Sequence, residues 1–177
     1  MDLDKLPART KDGDFHVVVE SPRGSRVKLK YEPKLKAFTV ARPLSFGHTY
    51  PFDWGFIPST KAEDGDPLDV MILWDVPSYP GVVIPCRPLG VIRLEQNDGE
   101  GGRERNDRLI AIPVKAPRDQ DMETFRDLSA RERDELTHFF VSAVFFANKD
   151  PKLLGWGTPK EAEQLIDKAM KRVKRKR

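Results

Sequence analysis

Three carboxylates lie within the six residues Asp64-Gly65-Asp66-Pro67-Leu68-Asp69. Pro67 has no amide hydrogen and a fixed φ, so a helix does not continue through it. Gly65 allows a turn conformation that most residues resist. Side chains of like charge held this close repel one another unless a positive charge lies among them. The segment therefore predicts a tight turn that binds a hard divalent cation such as Mg²⁺, which prefers carboxylate oxygens. The alternative is an acidic turn exposed to solvent.

The composition is typical of one folded domain over residues 1–177. Cys86 is the only cysteine, so no intrachain disulfide can form and a reducing compartment is expected. Residues 1–11 have no apolar stretch of the signal-peptide kind, and no segment reaches the length of a membrane span. These features predict a soluble cytoplasmic protein with no membrane partner.

The net charge of +3 comes from the C-terminal tail, residues 168–177, which holds seven basic side chains and no acidic one. The rest of the chain has 24 basic against 28 acidic residues, a charge of −4. A nucleic-acid-binding domain usually carries its basic charge across a face of the fold. We therefore expect no nucleic-acid partner, and we interpret the tail as the solvated end of a helix.

Hydrophobic patterning predicts a β-rich body followed by helices. The predicted strands are residues 15–19, 27–32, 38–42, 70–74, 82–94 and 108–114, closely spaced as in a barrel. A capping box at 129–132 opens a helix that runs towards Phe146, and a second box at 158–161 opens another. The polar segment 95–107, with three glycines, predicts a mobile loop that closes as a lid.

The residues that flank the acidic turn make the pattern more specific. Tyr50-Pro51-Phe52-Asp53-Trp54-Gly55-Phe56-Ile57-Pro58 precedes it, and Val70-Met71-Ile72-Leu73 follows it. Residues 50–73 resemble the signature region of the soluble family I inorganic pyrophosphatases, and the resemblance extends from about residue 15 to 156. It implies hydrolysis of pyrophosphate with Mg²⁺ as cofactor, or Mn²⁺ or Zn²⁺ in its place. It also implies an α+β, β-rich fold, an OB-like five-stranded β-barrel with flanking α-helices, assembled as a homohexamer.

The resemblance also implies roles for individual residues. Asp66 would act as general base towards the nucleophilic water. The positions implied for metal binding are Asp64, Asp69, Glu20, Glu32 and Asn106. The positions implied for substrate binding are Lys30, Arg42, Tyr50, Trp54 and Arg108. Independently, the strict alternation of residues 27–32 places Lys30 and Glu32 on one face of a strand.

One side of the implied site departs from the family pattern. Asn106 and Gln96 stand where the family has metal-binding Asp residues, and Arg108 stands where it has Lys. Asp107 is adjacent but points to the opposite face of a strand. The apolar pair Ala143-Val144 replaces a phosphate-binding Tyr-Lys pair, and Trp54 replaces a tyrosine.

These departures leave three hypotheses open. The first is a pyrophosphatase in which an acid of the polar segment replaces a lost ligand, the candidates being Asp98, Glu100 and Glu104. The second is a hydrolase for a larger phosphate compound such as a nucleotide, admitted at Ala143-Val144. The third is a non-catalytic protein that binds phosphate or metal on the same fold.

Overall fold

Nine β-strands and two α-helices occur in residues 2–118, 121–144 and 149–174, the parts of the chain that the computed structural model describes. The strands are β1 (Phe15–Ser21), β2 (Val27–Glu32), β3 (Ala37–Pro43), β4 (Asp53–Ile57), β5 (Leu68–Ile72), β6 (Val83–Asn97), β7 (Arg103–Arg105), β8 (Arg108–Pro113) and β9 (Lys152–Gly157). The helices are α1 (Ala130–Ser142), before β9, and α2 (Pro159–Lys174) after it.

Five strands close into a ring. Along the ring, β1 pairs with β4, β4 with β5, β5 with β8, β8 with β6, and β6 returns to β1. The β5–β8 pair is parallel and the other four are antiparallel. The 15-residue strand β6 extends beyond the ring, where it also pairs with β7 and β9. The expected five-stranded barrel with flanking helices is therefore confirmed.

The ring strands are buried on both faces. On β5, Val70 and Ile72 belong to a core cluster that includes Ala162, Ile166 and Ala169 of α2. Met71, between them, belongs to a second cluster that includes Leu136 and Phe140 of α1. Strands covered on both faces become continuous apolar runs rather than alternating ones. That is why residues 70–73 and 109–112 contain no polar side chain.

Both helices begin at the predicted capping boxes. The Ser129 hydroxyl accepts from the backbone N–H of Glu132, and the Glu132 carboxylate accepts from the backbone N–H of Ser129. At α2, Glu161 accepts from the Thr158 backbone at 2.6 Å. Helix α1 ends at Ser142, and Ala143 and Val144 lie in a turn, so the predicted helix is too long there. The rest of the predicted continuation, residues 145 and 146, lies outside the described residues.

Parts of the segment 95–107, which was predicted to be a mobile loop, form strands. Strand β7 pairs with the end of β6, Glu95 opposite Arg105 and Asn97 opposite Arg103, so the segment is a β-hairpin with its turn at residues 98–102. Sequence analysis also missed β4 and β9. None of the described helices is long and apolar enough to cross a membrane.

A separate hairpin of β2 and β3 covers the ring beside the acidic turn. Tyr31 and Phe38 of this hairpin pack with Val18 of β1 and Phe56 of β4 in a third core cluster. The Tyr31 and Phe38 rings lie with their centroids 5.5 Å apart. This packing fixes the hairpin over the barrel and brings the polar side chains of β2 to the site.

Candidate active site

The acidic turn lies directly before β5 and is held by its own hydrogen bonds. The backbone N–H of Asp66 donates to Asp64 Oδ1 at 3.1 Å, and the backbone N–H of Ala62 donates to the carbonyl of Asp66 at 2.7 Å. Gly65 has φ of +91°, which a residue with a Cβ adopts only with strain. Asp69 already belongs to β5. The turn therefore fixes all three carboxylates at the mouth of one strand.

Two cations lie among these carboxylates. Lys30 Nζ is 2.8 Å from Asp66 Oδ2. The Arg108 guanidinium donates to both Asp69 and Asn106, at the start of β8. Burial opposes the charged form of Lys30, but the hydrogen bond to Asp66 and the negative charges of Asp66, Glu20 and Asp69 together outweigh it and raise the lysine pKa. Part of the negative charge of the turn is thus neutralised inside the protein.

The site consists of three adjoining pockets, which we call the acidic, β2 and α1 pockets. The acidic pocket, about 240 Å³, is lined by Asp64, Asp69, Asn106 and Arg108, with Lys168 and Arg172 of α2. The β2 pocket, about 270 Å³, is lined by Glu20, Lys28, Lys30, Glu32, Asp66 and Asp69. The α1 pocket, about 40 Å³, is lined by Lys28, Arg42, Tyr50, Trp54, Asn106 and Arg108 with the apolar end of α1.

Two ionisable side chains are buried at the centre of this arrangement. Glu20 is 5% exposed, and its carboxylate accepts from the backbone N–H of Tyr31 at 2.8 Å. Burial, with repulsion from Asp69, raises the pKa of Glu20 to about 7. Burial also raises the pKa of Tyr50 far above its usual value, so Tyr50 stays a neutral phenol. Burial and the neighbouring Asp69 and Asp66 raise the pKa of Asp64 as well.

An aromatic wall separates the β2 and α1 pockets from the core. The Trp54 ring lies 5.4 Å from the Arg108 guanidinium and 6.0 Å from Lys28 Nζ. Trp54 is 3% exposed, and its Nε1–H is buried with no acceptor among the described residues. Opposite it, Ala143 and Val144 give the α1 pocket an apolar side.

The donor chemistry of the turn suits a hard divalent cation, although the side chains are not gathered around one point. Among the described residues no three Asp, Glu, His or Cys side chains form a group close enough to hold a metal together. Asp66 and Asp69 instead face Lys30 and Arg108. The carboxylates are nevertheless close enough that Asp69 and Asp66 raise the pKa of Asp64. Such mutual repulsion between oxygen donors is what Mg²⁺ relieves.

Every site residue inferred from the sequence lines one of the three pockets. Lys30 and Glu32 share the β2 pocket, as the alternation of β2 predicts. Asp107 accepts from Arg105 at 2.8 Å and from the backbone of Leu94, and it lines the acidic pocket together with Asp69. Sequence analysis missed Lys28, which lines both the β2 and α1 pockets. The signal was available, because Lys28 alternates with Lys30 on the same strand.

In the polar hairpin, one acidic residue lies close to Gln96, a position that departs from the family pattern. Asp98 accepts from the backbone N–H groups of Glu100 and Gly102, and it closes the turn. Glu104 instead accepts from the buried Gln96 amide at 2.9 Å, and Gln96 lines the α1 pocket. Of the three acids considered as replacement ligands, Glu104 is thus hydrogen-bonded to Gln96 of the α1 pocket. Asp98 instead accepts hydrogen bonds within the turn.

Comparison with known proteins agrees with this geometry. A family model described as inorganic pyrophosphatase matches residues 17–174. The chain is similar to the inorganic pyrophosphatase of Nostoc sp., with 37% identity over 98% of this chain and 100% of the relative. The inorganic pyrophosphatase of Saccharolobus solfataricus is 36% identical over 95% and 96% of the two chains. The crystal structure of inorganic pyrophosphatase from Thermus thermophilus superposes with a TM-score of 0.90 at 33% identity, covering 98% of this chain and 99% of that one.

Proposed function

The chain belongs to the inorganic pyrophosphatase family, and from this membership we propose that it hydrolyses inorganic pyrophosphate to two orthophosphate ions. The observation that carries the proposal is the meeting of the acidic turn with Lys30 and Arg108 in adjoining pockets. Pyrophosphate hydrolysis needs both kinds of charge. Cations neutralise the oxygens that shield phosphorus, and carboxylates collect metal and accept a proton.

Asp66 is the group that we assign as general base. Its side chain is 60% exposed, so water reaches it. One oxygen, Oδ2, accepts from Lys30, which leaves Oδ1 to take a proton from an attacking water. Lys30, next to it, is the side chain that we assign to binding a phosphate oxygen beside the point of attack.

Arg42, Arg108, Tyr50 and Trp54 are the side chains that we assign to phosphate binding in the α1 pocket. Arg108 can present two parallel N–H groups to a phosphate. Tyr50 and Trp54 can each donate one hydrogen bond, since the pKa of Tyr50 is raised by burial and the Trp54 N–H has no acceptor among the described residues. A buried donor without an acceptor costs free energy that a phosphate oxygen would recover.

Asp64, Asp69, Glu20, Glu32 and Asn106 are the residues that would hold the divalent cation, for which Mg²⁺ is our first candidate and Mn²⁺ or Zn²⁺ the alternatives. When bound, such an ion makes a coordinated water more acidic and neutralises phosphate oxygens. Asn106 supplies a neutral oxygen where a carboxylate would add charge. We therefore assign Glu104, which is hydrogen-bonded to Gln96 of the α1 pocket, to restoring negative charge on that side.

The size of the α1 pocket argues against a nucleotide as the main substrate. Its volume of about 40 Å³ has room for a few water molecules. A nucleoside does not fit there, although Ala143 and Val144 are small. Inorganic pyrophosphate is small enough to lie across the boundary of the β2 and α1 pockets, and it fits the charges and the space better.

Phosphate release from pyrophosphate by purified protein with Mg²⁺, beside the Asp66→Asn variant, tests the proposal. We expect turnover that a chelator abolishes and that Asp66→Asn lowers by two or more orders of magnitude, as for loss of a general base. Asp121→Asn, at an exposed position, is the matched control and should keep full activity. Absence of wild-type turnover, or full activity of Asp66→Asn, would refute it.

We also propose that the protein is a cytoplasmic homohexamer. Large apolar side chains are exposed on the single chain, among them Leu35, Val40, Phe46 and Tyr79, and symmetric assembly is a common way to cover such surface. Light scattering should give a mass of about six times 20.2 kDa. A monomer would contradict the proposal.

A further inference from the structure

The segment just before the acidic turn is held by the C-terminal half of α2. The backbone N–H of Lys61 donates to the carbonyl of Ala169 at 3.1 Å. The Arg172 guanidinium donates to Glu63 Oε1 at 2.8 Å, and it makes a longer contact of 3.5 Å with the carbonyl of Lys61. Lys168 Nζ lies 3.5 Å from the same Glu63 oxygen. One helix thus binds this segment both at its backbone and at its acidic side chain.

The position of the acidic turn depends on this segment. Ala62 closes the turn, because its N–H donates to the carbonyl of Asp66 at 2.7 Å and its carbonyl accepts from the N–H of Gly65 at 3.3 Å. Residues 63–66 are exposed, so burial does not fix them. The repulsion between neighbouring carboxylates also favours conformations that move them apart. The contacts with α2 therefore fix the N-terminal side of the turn, whereas β5 fixes its C-terminal side.

Helix α2 is a rigid support for these contacts. Ala162, Ile166 and Ala169 are fully buried, in the core cluster that also contains residues of β5 and β8. Arg172 follows Ala169 by three residues, so both side chains lie on the same side of the helix. Only 32% of the Arg172 side chain is exposed. Its planar guanidinium can bind two acceptors in a fixed geometry, and here both acceptors belong to one short segment.

The charge of Arg172 by itself acts against metal binding. Arg172 and Lys168 line the acidic pocket together with Asp64 and Asp69, and a positive charge beside a cation site repels the cation. Both basic side chains form ion pairs with Glu63. Positioning of the turn and direct electrostatics consequently predict changes of opposite sign in metal affinity when Arg172 is made neutral.

We propose that Arg172 is a positioning residue for the metal-binding turn. Through Glu63 and the carbonyl of Lys61, it holds the chain so that Asp64 is in place to bind Mg²⁺. The inference rests on the proposed function and deepens it. In this role Arg172 contacts neither metal nor phosphate, and it acts only through the segment that it holds.

Magnesium binding to the metal-free protein, measured by calorimetry, is the first test. Arg172→Gln should weaken Mg²⁺ binding by about 10-fold, as for loss of an outer contact that orients a metal ligand. If Arg172 acted through its charge alone, the same variant would bind Mg²⁺ more tightly. Arg172→Lys keeps a positive charge for Glu63 and should lose less affinity. The control Lys171→Gln removes an exposed lysine from the neighbouring position and should match the wild type.

A double variant tests whether Arg172 acts through Glu63. Glu63→Gln alone should weaken Mg²⁺ binding, because it removes the acceptor that Arg172 holds. Adding Arg172→Gln to Glu63→Gln should then cause little further loss, since the two residues share one contact and their effects are not additive. Two independent losses that multiply would overturn the route through Glu63.

Turnover and thermal unfolding separate positioning from direct catalysis and from a merely structural role. Arg172→Gln should raise the Mg²⁺ concentration for half-maximal pyrophosphate hydrolysis by the same factor and keep kcat within about twofold at saturating Mg²⁺. A lower Tm with unchanged Mg²⁺ affinity would overturn the proposal, as would tighter Mg²⁺ binding in Arg172→Gln. Wild-type protein that binds Mg²⁺ but leaves pyrophosphate intact would refute the enzymatic function alone, because the calorimetric comparison would still decide the role of Arg172.

Discussion

The buried carboxylate of Glu20 should make the metal-free protein less stable as the pH rises. An unfolded chain releases this proton near the ordinary glutamate value of 4.5, whereas the folded protein keeps it up to about 7 because burial opposes the charge. Between these values the folded state binds more protons than the unfolded state, so the free energy of unfolding falls with rising pH. The contribution of protonated Glu20 to stability is complete below pH 4.5, and it is lost as the pH rises through 7.

The size of the effect follows from the same two values. One proton costs about 1.4 kcal/mol for each pH unit inside the window, so Glu20 should remove roughly 2 to 3 kcal/mol of stability between pH 5 and pH 8. Glu20 is only 5% exposed, and solvent screening takes little from this figure. Glu20→Gln keeps the acceptor for the Tyr31 N–H but cannot ionise. The variant should therefore lack this part of the pH dependence.

Urea unfolding at pH 5 and pH 8, in the presence of a chelator, measures both free energies. We expect Glu20→Gln to gain roughly 2 to 3 kcal/mol relative to the wild type on going from pH 5 to pH 8. Glu100→Gln, which removes an exposed acid from the turn of the polar hairpin, should leave the wild-type pH dependence as it is. An equal pH dependence in Glu20→Gln and the wild type would refute the reasoning, because the titrating group would then lie elsewhere.

Two further predictions concern β4 and the polar hairpin. A Cβ at Gly55 would lie 2.1 Å from the Val18 carbonyl oxygen. Gly55→Ala should therefore destabilise the protein by at least about 2 kcal/mol in urea unfolding. An unchanged unfolding midpoint would contradict the close packing of β1 on β4. Replacing residues 98–102 by a two-residue Asn-Gly turn should leave pyrophosphate turnover intact. The reason is that Asp98 accepts hydrogen bonds from the backbone of the same turn that would be removed. Loss of turnover in a folded variant would instead assign catalytic ligands to that turn.

The sequence predicted the strands of the barrel best where burial on both faces produces long apolar runs, as in β5 and β8. It missed β4, because Gly55 interrupts the run and glycine weakens a strand signal. In the structure that glycine is required by the close approach of β1. The hairpin at 95–107 was missed because its composition is polar. Arg103 stabilises it through Asn97 at 3.0 Å and Asp150 at 2.9 Å, and the second contact joins residues 47 apart in sequence.

The candidate site was predictable to the extent that its residues share a motif or a strand face. The acidic turn and the pair Lys30 and Glu32 belong to that part. Lys28 belongs to it too, because it shares the strand face of Lys30, but its position opposite Arg42 depends on a bulge in the partner strand. A register shift is a property of two strands together, and neither strand's sequence specifies it alone.

The charges of the site suggest how its two kinds of ligand affect each other. Lys30 and Arg108 form ion pairs with Asp66 and Asp69. A phosphate that binds to either basic side chain therefore leaves a carboxylate without its ion-pair partner. A cation at the carboxylates leaves Lys30 and Arg108 unpaired in the same way. Each ligand therefore lowers the cost of binding the other, and this coupling is reciprocal.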